Sequence, residues 1–493
     1  MRFNMKGAAW DSFFLTIVKF VTILTSILQT KILSVGFSLT DYGTYSQANI
    51  VVSIFTSLLL LGLSDAIVYF YNDKSGRLAN DDKIRVINTI FAIEMIAGIA
   101  LVLLVFIGRD FIANYFSNDA LKTLIVIVSI KPMLDNLIYF YQVLFISTGK
   151  AKLIAVRNLI ISFSKVIFIF LAVHVFQGVE YIYISLILLD LLQLIFFFVA
   201  FSKNDFRVSP IKSNFSYFRE IINYSLPMGI FALTNALTRE LDKLVVSNLS
   251  NTETVAVYSN CSKVLPIDII VISFATVLIP YIMKYISQHK YNHSITLFKN
   301  YLKIGYYTVW TFGTAILIVS RQAISFLYSP QYLVGESIFI IYVVDSMVKF
   351  ASMHLILTAS GNAKILMRYS IMSLIFNLLF NVLFFRLFGV IGPAIATLVV
   401  TVLYTFAILI QSAKILQVNL LQLFEFKDLT LFVVVLTFCF ILFNQFNSLL
   451  LGNGLNEYIA MILTICGYCS IVFLVYGKHI FKVIKSINSL KIT

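Results

Sequence analysis

Charge is scarce in this chain. Asp, Glu, Lys and Arg together make up only 12% of its 493 residues. No long polar segment occurs anywhere, so no sizeable soluble domain can be cut out of it. Proline (7) and glycine (20) are few. The four cysteines, Cys261, Cys439, Cys466 and Cys469, all fall in apolar runs. Cys466-x-x-Cys469 sits in ILTICGYCSIVF with no second pair and no His nearby, which points to helix packing rather than metal or redox chemistry. Of the five His, only His354 lies well inside an apolar run, and no His answers it in the first half. That argues against a membrane acyltransferase. No Walker A pattern appears, so ATP is not bound by this chain.

What remains is apolar: 60% of residues are hydrophobic, with 46 Phe and 26 Tyr. The composition defines an all-α polytopic membrane protein, because each crossing needs roughly 20 mostly apolar residues. Short alternating strands of the barrel type are lacking. About fourteen spans are expected, at 12–36, 42–70, 84–107, 121–147, 153–176, 180–202, 222–249, 254–282, 300–327, 335–359, 364–387, 389–413, 428–449 and 456–477. MRFNMKGAAW leads into the first span without a small-residue cleavage site, so that span is expected to be retained.

Basic residues support this count. With a cytoplasmic N-terminus, the inner segments carry most of the 37 Lys and Arg, among them Arg2, Lys74, Arg77, Lys150, Lys152, Arg157, Arg207, Lys364 and Lys482. The outer loops hold Arg109, Lys122, Arg321 and Arg386. The asymmetry never inverts along the chain, so both termini are expected in the cytoplasm. The net charge of +14 is mostly this topological signal and does not imply nucleic-acid binding.

A repeat of about 212 residues runs through the sequence. TGKAKL (148–153) answers SGNAKI (360–365), TYS (44–46) answers VYS (257–259), TKILS (30–34) answers DKLVV (242–246) and FQGV (176–179) answers LFGV (387–390). Each unit holds six spans, and an even number preserves orientation. Two parallel six-helix lobes, 1–213 and 214–424, are therefore expected, related by a pseudo-twofold axis along the membrane normal. Residues 425–493 form an appended pair of helices and a cytoplasmic tail.

Some charges lie within spans, where each costs several kcal/mol unless paired or hydrated. The cations are Lys19, Lys31, Lys131, Lys165, Arg239, Lys243, Lys263 and Lys349. The acids are Glu94, Asp135, Asp190, Glu240, Asp242, Asp268 and Asp345. In RELDK (239–243), at about 100° per residue, all four charges share one helix face. Leu237, Leu241 and Leu244 occupy the other. Lys131 and Asp135 stand four apart, as do Asp345 and Lys349 in the second half, and each such pair can also be read as a brace. Pro266 predicts a kink in the eighth span. The charges together predict a water-filled, ion-lined cavity between the lobes, in which Lys and Arg suit phosphate or pyrophosphate. The acids would tune these cations or hold a coupling Na+ or H+.

DYGTYSQANIVVSIFTSLLLLGLSDAIVYFY (41–71) resembles the second span of the polysaccharide biosynthesis flippases. RELDKLVVSNLSNTETVAVYSNCSKVL (239–265) resembles their central signature. These proteins belong to the multidrug, oligosaccharidyl-lipid and polysaccharide exporter superfamily, and the O-antigen and capsule-type flippases resemble this chain most. The resemblance implies a non-enzymatic flippase of the bacterial inner membrane. It would move an undecaprenyl-pyrophosphate-linked oligosaccharide to the outer leaflet by alternating access, alongside membrane lipids and polysaccharide polymerase or assembly proteins, without a cofactor. The positions implied to contact substrate are Lys31, Arg239 and Lys243, then Lys19, Lys131 and Lys263, with Lys349 beside them. The extra acid in RELD, Glu240, departs from simple anion attraction.

A peptidoglycan-precursor flippase also fits fourteen spans, but an Arg cluster in the first two is missing. A drug or metabolite antiporter of the same superfamily usually lacks the appended pair. A glycan polymerase would need a large outer loop, and none is present.

Overall fold

The computed structural model describes residues 5–71, 80–204, 208–263 and 267–492. Arg2, Lys74, Arg77, Arg207 and the kink expected at Pro266 lie outside the described residues. Among those described there is no strand, and the expected spans fall mostly on helix, the eighth and tenth being broken between α11 and α12 and between α16 and α17. The chain packs into two compact units, residues 1–257 and 258–493.

The first unit holds α1 (Met5–Gly36), α2 (Leu39–Leu60), α3 (Leu63–Tyr71), α4 (Asn80–Ile107), α5 (Arg109–Tyr115), α6 (Ala120–Val128), α7 (Lys131–Ser147), α8 (Ala151–Leu171), α9 (Val179–Asn204) and α10 (Phe218–Leu249). The unit reaches beyond residue 213 because α10 packs on α2 and α3. That approach is close. A Cβ on Gly229 would lie 2.1 Å from the Leu61 carbonyl carbon, and one on Gly62 would lie 2.2 Å from the Ser225 oxygen. The chain turns there through Leu61 (φ 27°) and Gly62 (φ 73°), left-handed backbone that glycine adopts without penalty. The core beneath is aliphatic and aromatic, including Ile87, Phe140, Phe145 and Phe197.

Within α11 (Thr252–Cys261) the chain passes into the second unit. There follow α12 (Ile269–Ser287), α13 (Tyr291–Gly305), α14 (Thr311–Ile318), α15 (Ser320–Leu327), α16 (Glu336–Val348), α17 (Leu355–Ala359), α18 (Ala363–Phe388), α19 (Gly392–Ile415), α20 (Phe426–Gly452) and α21 (Glu457–Ile492). The last two pair with each other and dock on α13 and α14.

Nine continuous helical stretches among the described residues are long and apolar enough to cross a membrane. One, Lys364–Ile415, holds two of the expected spans. A tenth arises if Tyr291–Ile318 and Ser320–Leu327, bent by 86° at their junction, count as one. The expected second, seventh and eighth spans are helical but interrupted or charged. Large apolar side chains point outward, as a lipid environment requires. On α8, Val156, Ile160, Phe163 and Ile167 are all exposed, at spacings of three and four that line one helical stripe. Leu431, Val434, Phe438 and Ile441 do the same on α20. The chain is a multi-pass membrane protein.

The repeat is visible in local geometry. Gly149 (φ 81°) and Gly361 (φ 73°) end matching helices in left-handed turns. In one, the Lys150 N–H donates to the Phe145 carbonyl at 2.9 Å. In the other, the Asn362 N–H donates to the Leu357 carbonyl at 3.0 Å. This is the six-to-one bond of a glycine C-cap, made twice.

Candidate functional site

The densest charged cluster is built on α7, α8 and α9 of the first unit. Lys131 opens α7 and is buried. Its ammonium meets the Asp135 carboxylate one turn on, and lies 2.9 Å from Asp190 Oδ2 on α9. Asp190 is 2% exposed, and its Oδ1 accepts from Gln193 Nε2 at 3.0 Å. Arg157 on α8 donates to Gln193, to Asn158 at 2.9 Å and to Gln142 at 3.2 Å. Its guanidinium lies 4.9 Å from the Phe197 ring centre, within cation–π range.

Of these, Asp135, Arg157, Asn158, Asp190 and Gln193 line a cavity of about 290 Å³, with Lys165, Ser162 and Thr22 completing the polar lining. Helical periodicity explains why α8 presents them. Arg157, Ile161 and Lys165 follow at four-residue steps, roughly opposite the outward stripe through Ile160 and Ile167. Polar residues therefore turn inward and apolar ones outward. Sequence reasoning placed Arg157 among the cytoplasmic basic residues. In the structure Arg157 lies in the second turn of α8 and its guanidinium reaches the cavity. The signal was available in that reversed polarity of α8.

The RELDK segment of α10 is less uniform than a shared face suggests. Arg239 is exposed and makes no hydrogen bond or ion pair among the described residues. Lys243 donates to Glu240 at 3.0 Å, and Glu240 also accepts from Ser53 Oγ on α2 at 3.1 Å. Asp242 is buried, and its Oδ1 accepts from the Lys243 backbone N–H at 2.7 Å. The difference arises because α10 packs on α2, which turns Asp242 inward with Val245 and Val246. Lys19 is exposed and Lys31 half-buried on α1. Glu94 is 3% exposed, and neither carboxyl oxygen has a hydrogen-bond partner among the described residues.

In the second unit, the Lys349 ammonium lies 2.6 Å from Asp345, which is buried, while Lys349 itself is half exposed. Lys263 donates to Asn260 at 2.9 Å, and Asp268 is half-buried just ahead of α12. Sequence reasoning missed a further cluster there. Asp428, near the start of α20, accepts from the Tyr306 hydroxyl at 2.8 Å and the Tyr307 hydroxyl at 2.5 Å. Lys303 lies 2.5 Å from Glu425 and 3.7 Å from Asp428. These contacts tie the appended pair to α13. An apolar cavity of about 630 Å³ lies nearby, lined by Trp310, Met347, Phe350, Phe406 and Phe440. The cysteines are free, and no group of three or more His, Cys, Asp or Glu that could hold a metal occurs among the described residues.

The chain is thus an all-helical membrane protein that carries buried ion pairs among its helices. Residues 37–336 match the family model described as "Polysaccharide biosynthesis protein", and the chain belongs to that family. No curated protein sequence matches it. Among solved structures, it is similar to the lipid II flippase MurJ in an inward closed conformation. The TM-score is 0.72 at 16% identity, covering 94% of this chain and 98% of that one. It is also similar to an inward-facing multidrug resistance MATE family transporter of the MOP superfamily. There the TM-score is 0.70 at 12% identity, covering 80% of this chain and 94% of the other. A MOP superfamily transporter from Pyrococcus furiosus scores 0.58 at 13% identity, over 82% and 94% of the two chains. These likenesses establish the fold.

Proposed function

We propose that this protein is a flippase that carries a lipid-linked oligosaccharide across the bacterial inner membrane for surface polysaccharide assembly. The observation that carries this reading is the family match over residues 37–336, which spans most of the interior charges. A polar headgroup cannot cross hydrocarbon unaided, because each unsatisfied polar group costs several kcal/mol there. Interior Lys and Arg side chains provide the complement to a pyrophosphate, and mixed carboxylates and amides provide it to sugar hydroxyls. The anchor in this reading is undecaprenyl pyrophosphate, and the headgroup site is exposed alternately to the two membrane faces. Arg239, exposed and without an ion-pair partner among the described residues, is the cation we assign first to the pyrophosphate. Lys31 and Lys243 follow it. Both termini lie in the cytoplasm, and the chain itself performs no covalent chemistry.

The likeness to the lipid II flippase favours a second reading, in which the cargo is a peptidoglycan precursor. Deletion of the gene separates the two. Loss of surface glycan with accumulation of lipid-linked repeat units, in cells that keep growing, supports the first reading. Lysis with accumulated peptidoglycan precursor supports the second. Arg239→Ala restoring full glycan to the deletion strain would remove Arg239 from the site.

A further inference from the structure

The last helix outruns the membrane it crosses. α21 holds 36 residues, whereas a crossing takes roughly 20. Tyr458 lies at its start, an amphipathic ring of the kind that marks a membrane interface. Lys478 follows about 30 Å along the axis at 1.5 Å per residue, which is the thickness of the hydrocarbon core. Lys482 and Lys485 stand about 6 and 10 Å farther on. Their long stems bring all three ammonium groups to the headgroup layer of the leaflet that holds this end of α21.

The three lysines share one face. Relative to Lys478, Lys482 lies at about 40° and Lys485 at about −20° around the helix. The same stripe holds Ile471, Leu474 and Phe481, at about 20°, −40° and −60°. All six side chains are exposed, Leu474 to 79% and Phe481 to 64%. The helix packs on its neighbours through the opposite side. Tyr476 meets Phe432 of α20 and Tyr307, Val483 is buried, and Ser486 Oγ accepts from Asn300 Nδ2 of α13 at 2.9 Å. An outward apolar stripe thus runs straight into an outward basic one.

These lysines have no acid to answer them. The sequence carries no Asp or Glu after Glu457. Glu425 and Asp428, at the start of the packed α20, are engaged by Lys303, Tyr306 and Tyr307. None of the three lysines makes an ion pair among the described residues. We propose that this end of α21 is a binding site for an anionic phospholipid. Its acyl chains lie along Ile471 and Leu474, and its phosphate is held by Lys478, Lys482 and Lys485. A free nucleotide or phosphate would answer the lysines but leave the apolar stripe above them unfilled. An acidic protein segment would have to lie within the headgroup layer. A lipid answers both halves of the stripe at once, and anionic headgroups attract basic residues at this depth. The site is independent of which cargo the protein carries.

The test places a reporter on the stripe. In full-length protein whose own tryptophans are removed by Trp10→Phe and Trp310→Phe, Leu474→Trp puts an indole beside the acyl chains. The protein is reconstituted in phosphatidylcholine vesicles. Quenching is compared between phosphatidylglycerol and phosphatidylcholine, each brominated on its acyl chains near the headgroup. The anionic lipid is expected to be favoured at least about fivefold, the contribution of one surface lysine. Replacing all three lysines by Gln should remove the preference, and replacing them by Arg should keep it. Equal quenching by the two lipids overturns the proposal and leaves the lysines to an acidic protein surface. So does a preference that survives the Gln replacements. Where the tryptophan-replaced protein does not fold, native mass spectrometry of the wild type decides. It should retain at least one more phosphatidylglycerol than the triple Gln variant, and equal retention overturns the site.

Discussion

Lys131 and Asp135 stand four residues apart on α7, and Asp345 and Lys349 stand four apart around the end of α16. Both pairs form, yet their surroundings differ. Lys131 is buried and shared with a second carboxylate from another helix. Lys349 is half exposed and forms its ion pair with Asp345 alone among the described residues. The same spacing on repeat-related helices thus yields a closed three-membered cluster in one unit and an open pair in the other. Spacing determines that the two charges meet. The neighbouring helix determines what their meeting does. An Asp on α9 converts a local pair into a contact between helices, and polar residues on α8 surround it with a cavity.

The comparison can be broken most directly at Asp190. Asp190→Asn leaves Lys131 with one partner in a buried site, and stability is expected to fall by about 3–5 kcal/mol. Chemical denaturation of the purified protein would show it. Asp345→Asn, in contrast, leaves an ammonium that is already half exposed, so the loss is expected to stay below about 1 kcal/mol. Comparable losses in the two variants would erase the distinction between the pairs.

The shared turns sharpen it from the other side. Gly149 and Gly361 both have positive φ, and a Cβ on either would meet nothing within 4 Å. Alanine there costs conformational strain alone, about 1–2 kcal/mol, and the same amount at both positions. A large difference between Gly149→Ala and Gly361→Ala, read from unfolding midpoints, would show that the two turns are not equivalent.

The smallest expected effect lies between α5 and α6 of the first unit. Lys122 sits 2.6 Å from Asp110, and this hydrogen bond holds the Asp110 carboxyl below its usual range. A carboxylate depressed in the folded state contributes stability that is present above its unfolded value and is lost as pH falls through its folded one. Lys122→Met should therefore flatten the acid side of the stability profile slightly and leave neutral pH almost unchanged. Both side chains are more than half exposed, so the effect is modest and screened by salt. A marked change at neutral pH would contradict this.

Much of the fold was legible in the sequence because membrane burial imposes long apolar runs that composition alone reveals. Most of the expected spans fall on helices among the described residues, and the glycine turns at 149 and 361 were marked by their matching neighbours. Lys131–Asp135 and Asp345–Lys349 followed from the four-residue spacing. What stayed hidden depended on tertiary contact. Asp190 was named as an interior acid, but no local pattern ties α9 to α7. Arg157 looked like part of a basic cytoplasmic segment, since Lys150 and Lys152 precede it. That Asp242 is buried while Arg239 is exposed follows from the packing of α10 on α2, which helical periodicity cannot report. The tyrosine–Asp428 cluster joins residues about 120 positions apart in the chain.

The central claim is movement of a sugar-bearing lipid across a bilayer. Purified protein reconstituted with an undecaprenyl-pyrophosphate oligosaccharide, followed by lectin access from outside, measures it directly. The account predicts that headgroups placed in the inner leaflet become lectin-accessible with the protein and slowly or not at all in protein-free vesicles, and that Arg239→Ala abolishes the gain. Equal accessibility with and without the protein would contradict it.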